Sequence, residues 1–236
     1  MSDAQATAVS SDLLPAAVDA ALPRVVLFDF DGVLIHGDAF QLFMRARYRR
    51  SPWRLLLVAL CLPLWLLLWP LSRRLSGLVL VRIALLGVSE RRYRVAATDF
   101  AARLARHSRQ FCRDGLQALR RHQSAGDRVI VVTGCEEMLV SGILQQLGLT
   151  GLEVLASQLR PGWSGMQWGW HNVGTRKVRQ LARHGLDRWH IAYTDSLQDV
   201  PMLKPAAQAV LVNGTPTCCK KVEKALGRAI TRVEWW

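Results

Sequence analysis

Three short runs of β-branched and other apolar residues each end on polar ones: "RVVLFDFDGVL" from Arg24, "GDRVIVVTGC" from Gly126 and "WHIAYTDSLQDVPML" from Trp189. Near-continuous apolar runs of this length predict strands buried on both faces, as in a parallel sheet. Ahead of the third run, "NVGTRKVRQL" has helical periodicity and predicts an amphipathic helix that ends near His184, with Gly185 as its stop. The pattern between the first two runs differs. Leu55 to Ser72 are eighteen consecutive uncharged residues, and a second apolar stretch covers 75–88. The flanks read as helical: Asp38 and Gln41 make a capping-box-like start, and Ser89 can cap the Arg-rich "ERRYRVAATDFAARLARHSRQ". The expected fold class is therefore α/β, with a parallel-sheet core from 23–37 and 122–236. A helical, hydrophobic and basic cap, 38–121, is inserted after the first strand, with apolar segments 55–71 and 75–88.

A length of 236 residues suits one such core with a modest insertion. The first 22 residues have no Lys or Arg and no sustained apolar stretch, so they read as a flexible tail and fail as a signal peptide. Five Cys without metal-ligand spacing indicate a reducing compartment. The formal charge of +13 changes the picture only once it is located. Arg45 to Arg121 hold 17 Arg against Glu90, Asp99 and Asp114, while the remainder has 14 basic and 15 acidic residues. Excess positive charge beside an apolar run suits an anionic membrane surface, although a solvated helix face is the plain alternative. No basic-aromatic nucleic-acid motif accompanies it, and no obligate protein partner is evident.

Candidate chemistry lies at the strand ends. Asp29 and Asp31 alternate along an extended segment, so both sit at the tip while Phe28 and Phe30 can point inward; two Asp beside a Gly also make an ordinary turn. Thr133 and Gly134 precede a helix, where a hydroxyl and free N–H groups bind phosphate oxygens, or where Thr133 simply caps. Lys177, viewed alone, reads as a solvated helix lysine. Asp195 and Asp199 can cap the helix that begins near Pro201 or hold a hard divalent cation.

Taken together, Asp29-Phe30-Asp31-Gly32-Val33, Thr133, Lys177 and Thr194-Asp195-Ser196 through Asp199 resemble the motif set of the haloacid dehalogenase superfamily, over residues 24 to about 213. The resemblance implies a Rossmann-like sheet with helices on both faces and a site beyond the strand C-termini. It also implies a phosphatase in which Asp29 is the nucleophile, Asp31 the general acid and base, and Thr133, Gly134 and Lys177 hold the phosphate. Mg2+ would then be bound by the Asp29 and Asp195 side chains and the Asp31 carbonyl, with Asp199 ordering metal-bound water and Lys177.

Topology limits what the apolar insert can do. Asp29 and Thr133 must meet, so the chain must leave and re-enter on one side of any membrane. Pro63 and Pro70 interrupt the first segment, Arg82 the second, and "SRR" separates the two. Interfacial embedding is expected over full crossing, with the Arg clusters on headgroups and Trp53, Trp65 and Trp69 at the boundary; a soluble cap is the alternative. Lifting a two-chain lipid into water costs more than ~20 kcal/mol at ~0.8 kcal/mol per methylene, so a membrane anchor suits a lipid substrate. The insert, with the Trp163, Trp168 and Trp170 segment that reads as a β-hairpin, is similar to the phosphatidylglycerophosphatase C family. That similarity implies a phosphatidylglycerol phosphate substrate at the cytoplasmic face of a bacterial inner membrane. A soluble cytoplasmic phosphatase of the phosphoserine type and a non-catalytic membrane scaffold are the alternatives.

Overall fold

The computed structural model describes the backbone of residues 23–71 and 73–236, with side chains except at 64, 65 and 67–76. The tail expected over 1–22, and the boundary roles expected of Trp65 and Trp69, lie outside the described residues. The chain runs through β1 (Val25–Phe28), α1 (Ala39–Arg49), α2 (Pro52–Leu71), α3 (Arg73–Leu85), α4 (Glu90–Ala105), α5 (Arg113–Ser124), β2 (Arg128–Glu136) and α6 (Glu137–Gln146). It continues through β3 (Glu153–Gly162), β4 (Gly165–Trp170), α7 (Thr175–Arg183), β5 (Trp189–Thr194), α8 (Val200–Leu203), β6 (Ala206–Val212), α9 (Pro216–Leu226) and β7 (Thr231–Val233).

β1 lies inside the sheet, whose order is β4-β3-β2-β1-β5-β6-β7, and pairs in parallel with β2 and β5. Among the strands of the described residues, β3 and β4 pair antiparallel, as the hairpin expected around the tryptophans, and the other pairs are parallel. Alternation along the strands sorts their side chains into two cores. Val26, Phe28, Val129, Val131 and Ile191 meet α4, α5 and α6, including Phe100, Leu119 and Ile143. Leu27, Ile130, Val132 and Ala192 face Leu181 of α7, Met202 of α8 and Val222 of α9. Both faces of β1 are thus covered, as its unbroken apolar run requires. The chain reverses across β1 between the β2–β3 side and the β5–β7 side, leaving a crevice at the strand C-termini.

Asp38 caps α1 by accepting from the Gln41 amide, and Ser89 caps α4 by accepting from that of Arg92. One expectation is corrected. α5, read as the end of the insert, packs on β2 through Leu116, Ala118 and Leu119 as the crossover back into the sheet. The core therefore resumes near Phe111, which bridges to Ile35, ahead of residue 122. Its arginines made this helix look like part of the cap, while its apolar stripe binds it to the sheet.

Side-chain bonds and a close backbone approach lock the cap to the core. Tyr93 of α4 is fully buried and its hydroxyl donates to Glu136 Oε2 at 2.7 Å, where Glu136 also caps α6 by accepting from Leu139 N. The end of α3 meets the hairpin turn. Arg82 donates to Ser164 Oγ at 2.5 Å, and a Cβ on Gly165 (φ +125°) would stand 2.2 Å from the Leu85 carbonyl oxygen. α2 is different, since Leu55, Leu56, Leu60, Leu62 and Leu66 are all exposed. Among the described residues no helix is long and apolar enough to cross a membrane.

Tyr93→Phe strips the buried Glu136 carboxylate of a donor and is expected to cost about 1–3 kcal/mol, read as a lower urea midpoint at unchanged slope. Burial raises the Glu136 carboxyl above its ordinary 4.5, so the folded state favours its neutral form. The stability this contributes is full in acid and is lost as pH rises through the elevated value. Glu136→Gln is expected to flatten that slope in a pH series of unfolding curves.

Candidate active site

β1 ends on Asp29, whose amide donates to the Tyr193 carbonyl and carries the β1–β5 pairing one residue past the strand. Its carboxylate is fixed from two sides: Oδ1 accepts from the Phe30 amide at 2.7 Å, and Oδ2 lies 3.0 Å from Lys177 Nζ. Lys177 sits in the first turn of α7, 2% exposed, and reaches Asp199 Oδ2 at 2.6 Å with the same ammonium. The solvated-lysine alternative is therefore excluded. Asp199 also accepts from the Thr194 hydroxyl at 2.9 Å, and Thr194 Oγ1 in turn accepts from the Ser196 amide.

Asp31 points toward the cap, accepting from the Ala39 amide at the start of α1 at 2.8 Å. Asp195 folds over the same turn. A Cβ on Gly32, whose φ is +76°, would lie 1.9 Å from Asp195 Oδ2, so only glycine leaves that carboxylate its place. Thr133 is fully buried where the β2–β3 register breaks between Val132 and Glu136, which frees 133–135 from the ladder. Its Oγ1 accepts from the Cys135 amide at 3.0 Å, leaving the hydroxyl hydrogen to donate. Glu136, not Thr133, is the cap of α6. Gly134 is tied down through its carbonyl by Ser157 at 2.7 Å. The six residues Asp29, Asp31, Thr133, Lys177, Asp195 and Asp199, with Gly134, thus gather at one edge of the sheet.

Asn172 was not singled out in the sequence, where it looks like an ordinary loop residue. It is fully buried and donates through Nδ2 to the carbonyls of Thr133 (3.3 Å) and Leu155 (3.0 Å), while its amide donates to Ser157 Oγ. It pins the ends of β2 and β3 and so positions the Thr133 turn. Its one sequence signal is its place in the short N-x-G link ahead of the Lys177 helix.

Four carboxylates here face one lysine. Burial raises Asp29 well above the ordinary range, an effect that Lys177 opposes and Asp199 reinforces. Asp31 is pushed up to about 7 by burial and then by Asp38. Burial raises Asp195 as well, with Asp199 adding to the effect. Burial acts the same way on Asp199, but Lys177 and hydrogen bonds from its neighbours hold it below the usual range. Excess buried negative charge with oxygen-only donors fits a hard cation. No trio of His, Cys, Asp or Glu side chains forms a ready cage among the described residues. Mg2+ does not require one, since it takes one or two carboxylates and keeps several waters.

The family model for haloacid dehalogenase-like hydrolases matches residues 26–204. A phosphoserine phosphatase of Mycobacterium tuberculosis is 38% identical over 107 residues, 42% of this chain and 35% of that protein, so the chain spans well under two thirds of this relative. A protein of unknown function from Bordetella pertussis Tohama I superposes with a TM-score of 0.65 at 19% identity, over 89% of this chain and 98% of that one. A substrate-bound phosphoserine phosphatase superposes at 0.55 with 16% identity, over 89% and 92%. At these identities the two superpositions speak for the fold.

Gly32→Ala forces a side chain into the Asp195 carboxylate at a left-handed φ. It is expected to lower stability by about 1–2 kcal/mol and to weaken Mg2+ stabilisation against heat, both read from melting curves with and without the ion. With a model match over most of its length and its motifs meeting at one sheet edge, this chain belongs to the haloacid dehalogenase-like hydrolase family.

Proposed function

We propose that this chain is a Mg2+-dependent phosphomonoesterase that works through an aspartyl-phosphate on a lipid-borne phosphate, with phosphatidylglycerol phosphate as the substrate to test first. In this reading Asp29 attacks phosphorus, the ester P–O bond breaks, and Asp31 gives its proton to the leaving oxygen. Asp31, now a base, takes a proton from water, which attacks the aspartyl-phosphate and releases phosphate and Asp29. A pKa of about 7 suits both halves of that exchange. Lys177 screens Asp29 from the incoming phosphate, and Thr133 with the Gly134 turn supplies hydrogen bonds to its oxygens. Asp29, Asp195 and the Asp31 carbonyl would hold Mg2+, with Asp199 behind them; the ion supplies charge neutralisation on the phosphoryl oxygens.

The observation that carries the lipid reading is the outer face of α2, where Leu56 is 67% and Leu60 76% exposed, with Trp53 beside them at 46%. A contiguous apolar surface of this kind marks an interaction site, and the arginines flanking it favour an anionic membrane, here the cytoplasmic face of a bacterial inner membrane. A groove of about 510 Å³, lined by Cys61, Leu78, Val79, Ile83, Met166 and Trp168, offers room for an acyl chain. Its wall leads inward: Trp168 packs on Phe40 at 5.0 Å, next to the Ala39 amide that binds Asp31. The soluble phosphoserine-type reading is favoured instead by the 38% identical segment.

In mixed micelles, phosphatidylglycerol phosphate is expected to exceed phosphoserine at least tenfold in kcat/KM, with phosphatidic and lysophosphatidic acids between them. Faster turnover of phosphoserine would defeat the lipid reading. Asp29→Asn is expected to abolish Mg2+-dependent phosphate release, which also rules out a scaffold. Asp31→Asn should slow turnover by roughly 10²–10⁴ and accumulate a hydroxylamine-labile phospho-enzyme, seen by intact-mass measurement.

A further inference from the structure

Where α1 ends and α2 begins, four arginines surround one small cavity. Arg47, Arg50, Arg54 and Arg103 line a space of about 70 Å³, together with Ser51 and the rings of Phe43 and Phe100. No carboxylate among the described residues pairs with any of the four. Arg54 is 8% exposed. Its Nη1 donates to Ser51 Oγ at 2.6 Å and its Nη2 to the Leu86 carbonyl at 3.3 Å, while its Nε is buried with no partner. Arg47 donates from Nε to the Ala84 carbonyl at 3.2 Å. Burial lowers the guanidinium pKa of both Arg47 and Arg54, and the Arg54 charge adds to the effect on Arg47.

Arginines that merely snorkel to solvent repel one another and spread apart. Arg54 stacks over the Trp53 ring at 4.6 Å and Arg47 over Phe43 at 5.9 Å, yet four guanidiniums line one cavity, one of them buried, and no carboxylate among the described residues pairs with them, so an anion there would supply the missing countercharge. Guanidinium forks match the oxygens of a phosphate, and the cavity suits a group of that size. Its place selects the source: it lies at the start of α2, directly ahead of exposed Trp53, Leu55 and Leu56, so a phosphate held here would sit at headgroup level while the leucines meet acyl chains. It shares no residue with the Asp29 site.

We propose that Arg47, Arg50, Arg54 and Arg103 form a second, non-catalytic phosphate site that seats the headgroup phosphate of an anionic phospholipid and docks the cap on the membrane. Only the source of that phosphate rests on the membrane-surface reading. The test compares wild type, Arg50→Gln/Arg103→Gln and a charge-matched control in the same insert, Arg91→Gln/Arg92→Gln. Each is co-sedimented with phosphatidylcholine vesicles, with and without phosphatidylglycerol, and melted with and without inorganic phosphate. The catalytic site contributes equally to all three melts, so differences report the new site. Phosphatidylglycerol-dependent binding is expected to fall at least tenfold further in the Arg50/Arg103 variant than in the control. If phosphate stabilises wild type and control but not that variant, while the vesicles fail to discriminate, the site takes free phosphate and the lipid assignment is overturned. Equal behaviour of the two variants in both arms overturns the site itself. Should the double variant melt early without ligand, exposed Arg50→Gln alone against Arg91→Gln makes the same comparison. A micelle assay favouring phosphoserine would leave these outcomes intact, so the two readings fail separately.

Discussion

The ammonium of Lys177, 3.0 Å from Asp29 and 2.6 Å from Asp199 and almost wholly buried, is the contact on which the rest of the site depends. A lysine removed from water stays charged only if carboxylates come with it, and carboxylates gathered there stay ionised only beside a cation. Breaking either half leaves an unpaired charge in the interior. That mutual dependence ties α7 to the tips of β1 and β5. It also explains the lesser bonds: Thr194 and Ser196 hold Asp199 on the lysine, and the Phe30 amide holds Asp29 in line with it. Lys177 covers only part of the negative charge, and the remainder is where the proposed divalent cation would sit.

The cap is attached to this centre through backbone and buried polar groups. Asp31 binds the first amide of α1, Tyr93 of α4 binds Glu136 just beyond the Thr133 turn, and α3 meets the β3–β4 hairpin at Gly165. The seating of α1 thereby fixes the position of Asp31, the group proposed to move protons. The exposed Leu55, Leu56, Leu60, Leu62 and Leu66 of α2 and the arginine-lined cavity belong to the same insert. A lipid-facing α2, as proposed, would then be joined through α1 to the site that handles phosphate, which suits a substrate that stays in its leaflet.

Much of the site could be read from the chain, because strands buried on both faces leave their polar residues at one edge. Asp29, Asp31, Asp195 and Asp199 follow strands, Thr133 lies near the end of β2, and Lys177 sits in the first turn of α7. Asn172 could not be read this way. Its importance comes from carbonyls at positions 133 and 155 that the sheet brings beside it, and an asparagine in a loop carries no mark of such partners. The end of the insert was misplaced for a related reason: arginine content spoke for the cap, while the packing of Leu116 and Leu119 assigned α5 to the sheet.

By itself the sequence determined the α/β class, the strands that carry the acidic residues, the helical nature of the insert and the caps at Asp38 and Ser89. These follow from local periodicity and near-neighbour hydrogen bonds, which distant residues scarcely alter. Only the tertiary structure decided that α2 leaves Leu55, Leu56, Leu60, Leu62 and Leu66 outward while α3 buries its end, since a helix apolar all round has no face of its own to prefer. It alone decided that Asp195 rests on Gly32 and that four arginines line one cavity with no acid among the described residues paired to them, because such pairings depend on which surfaces the finished core brings together.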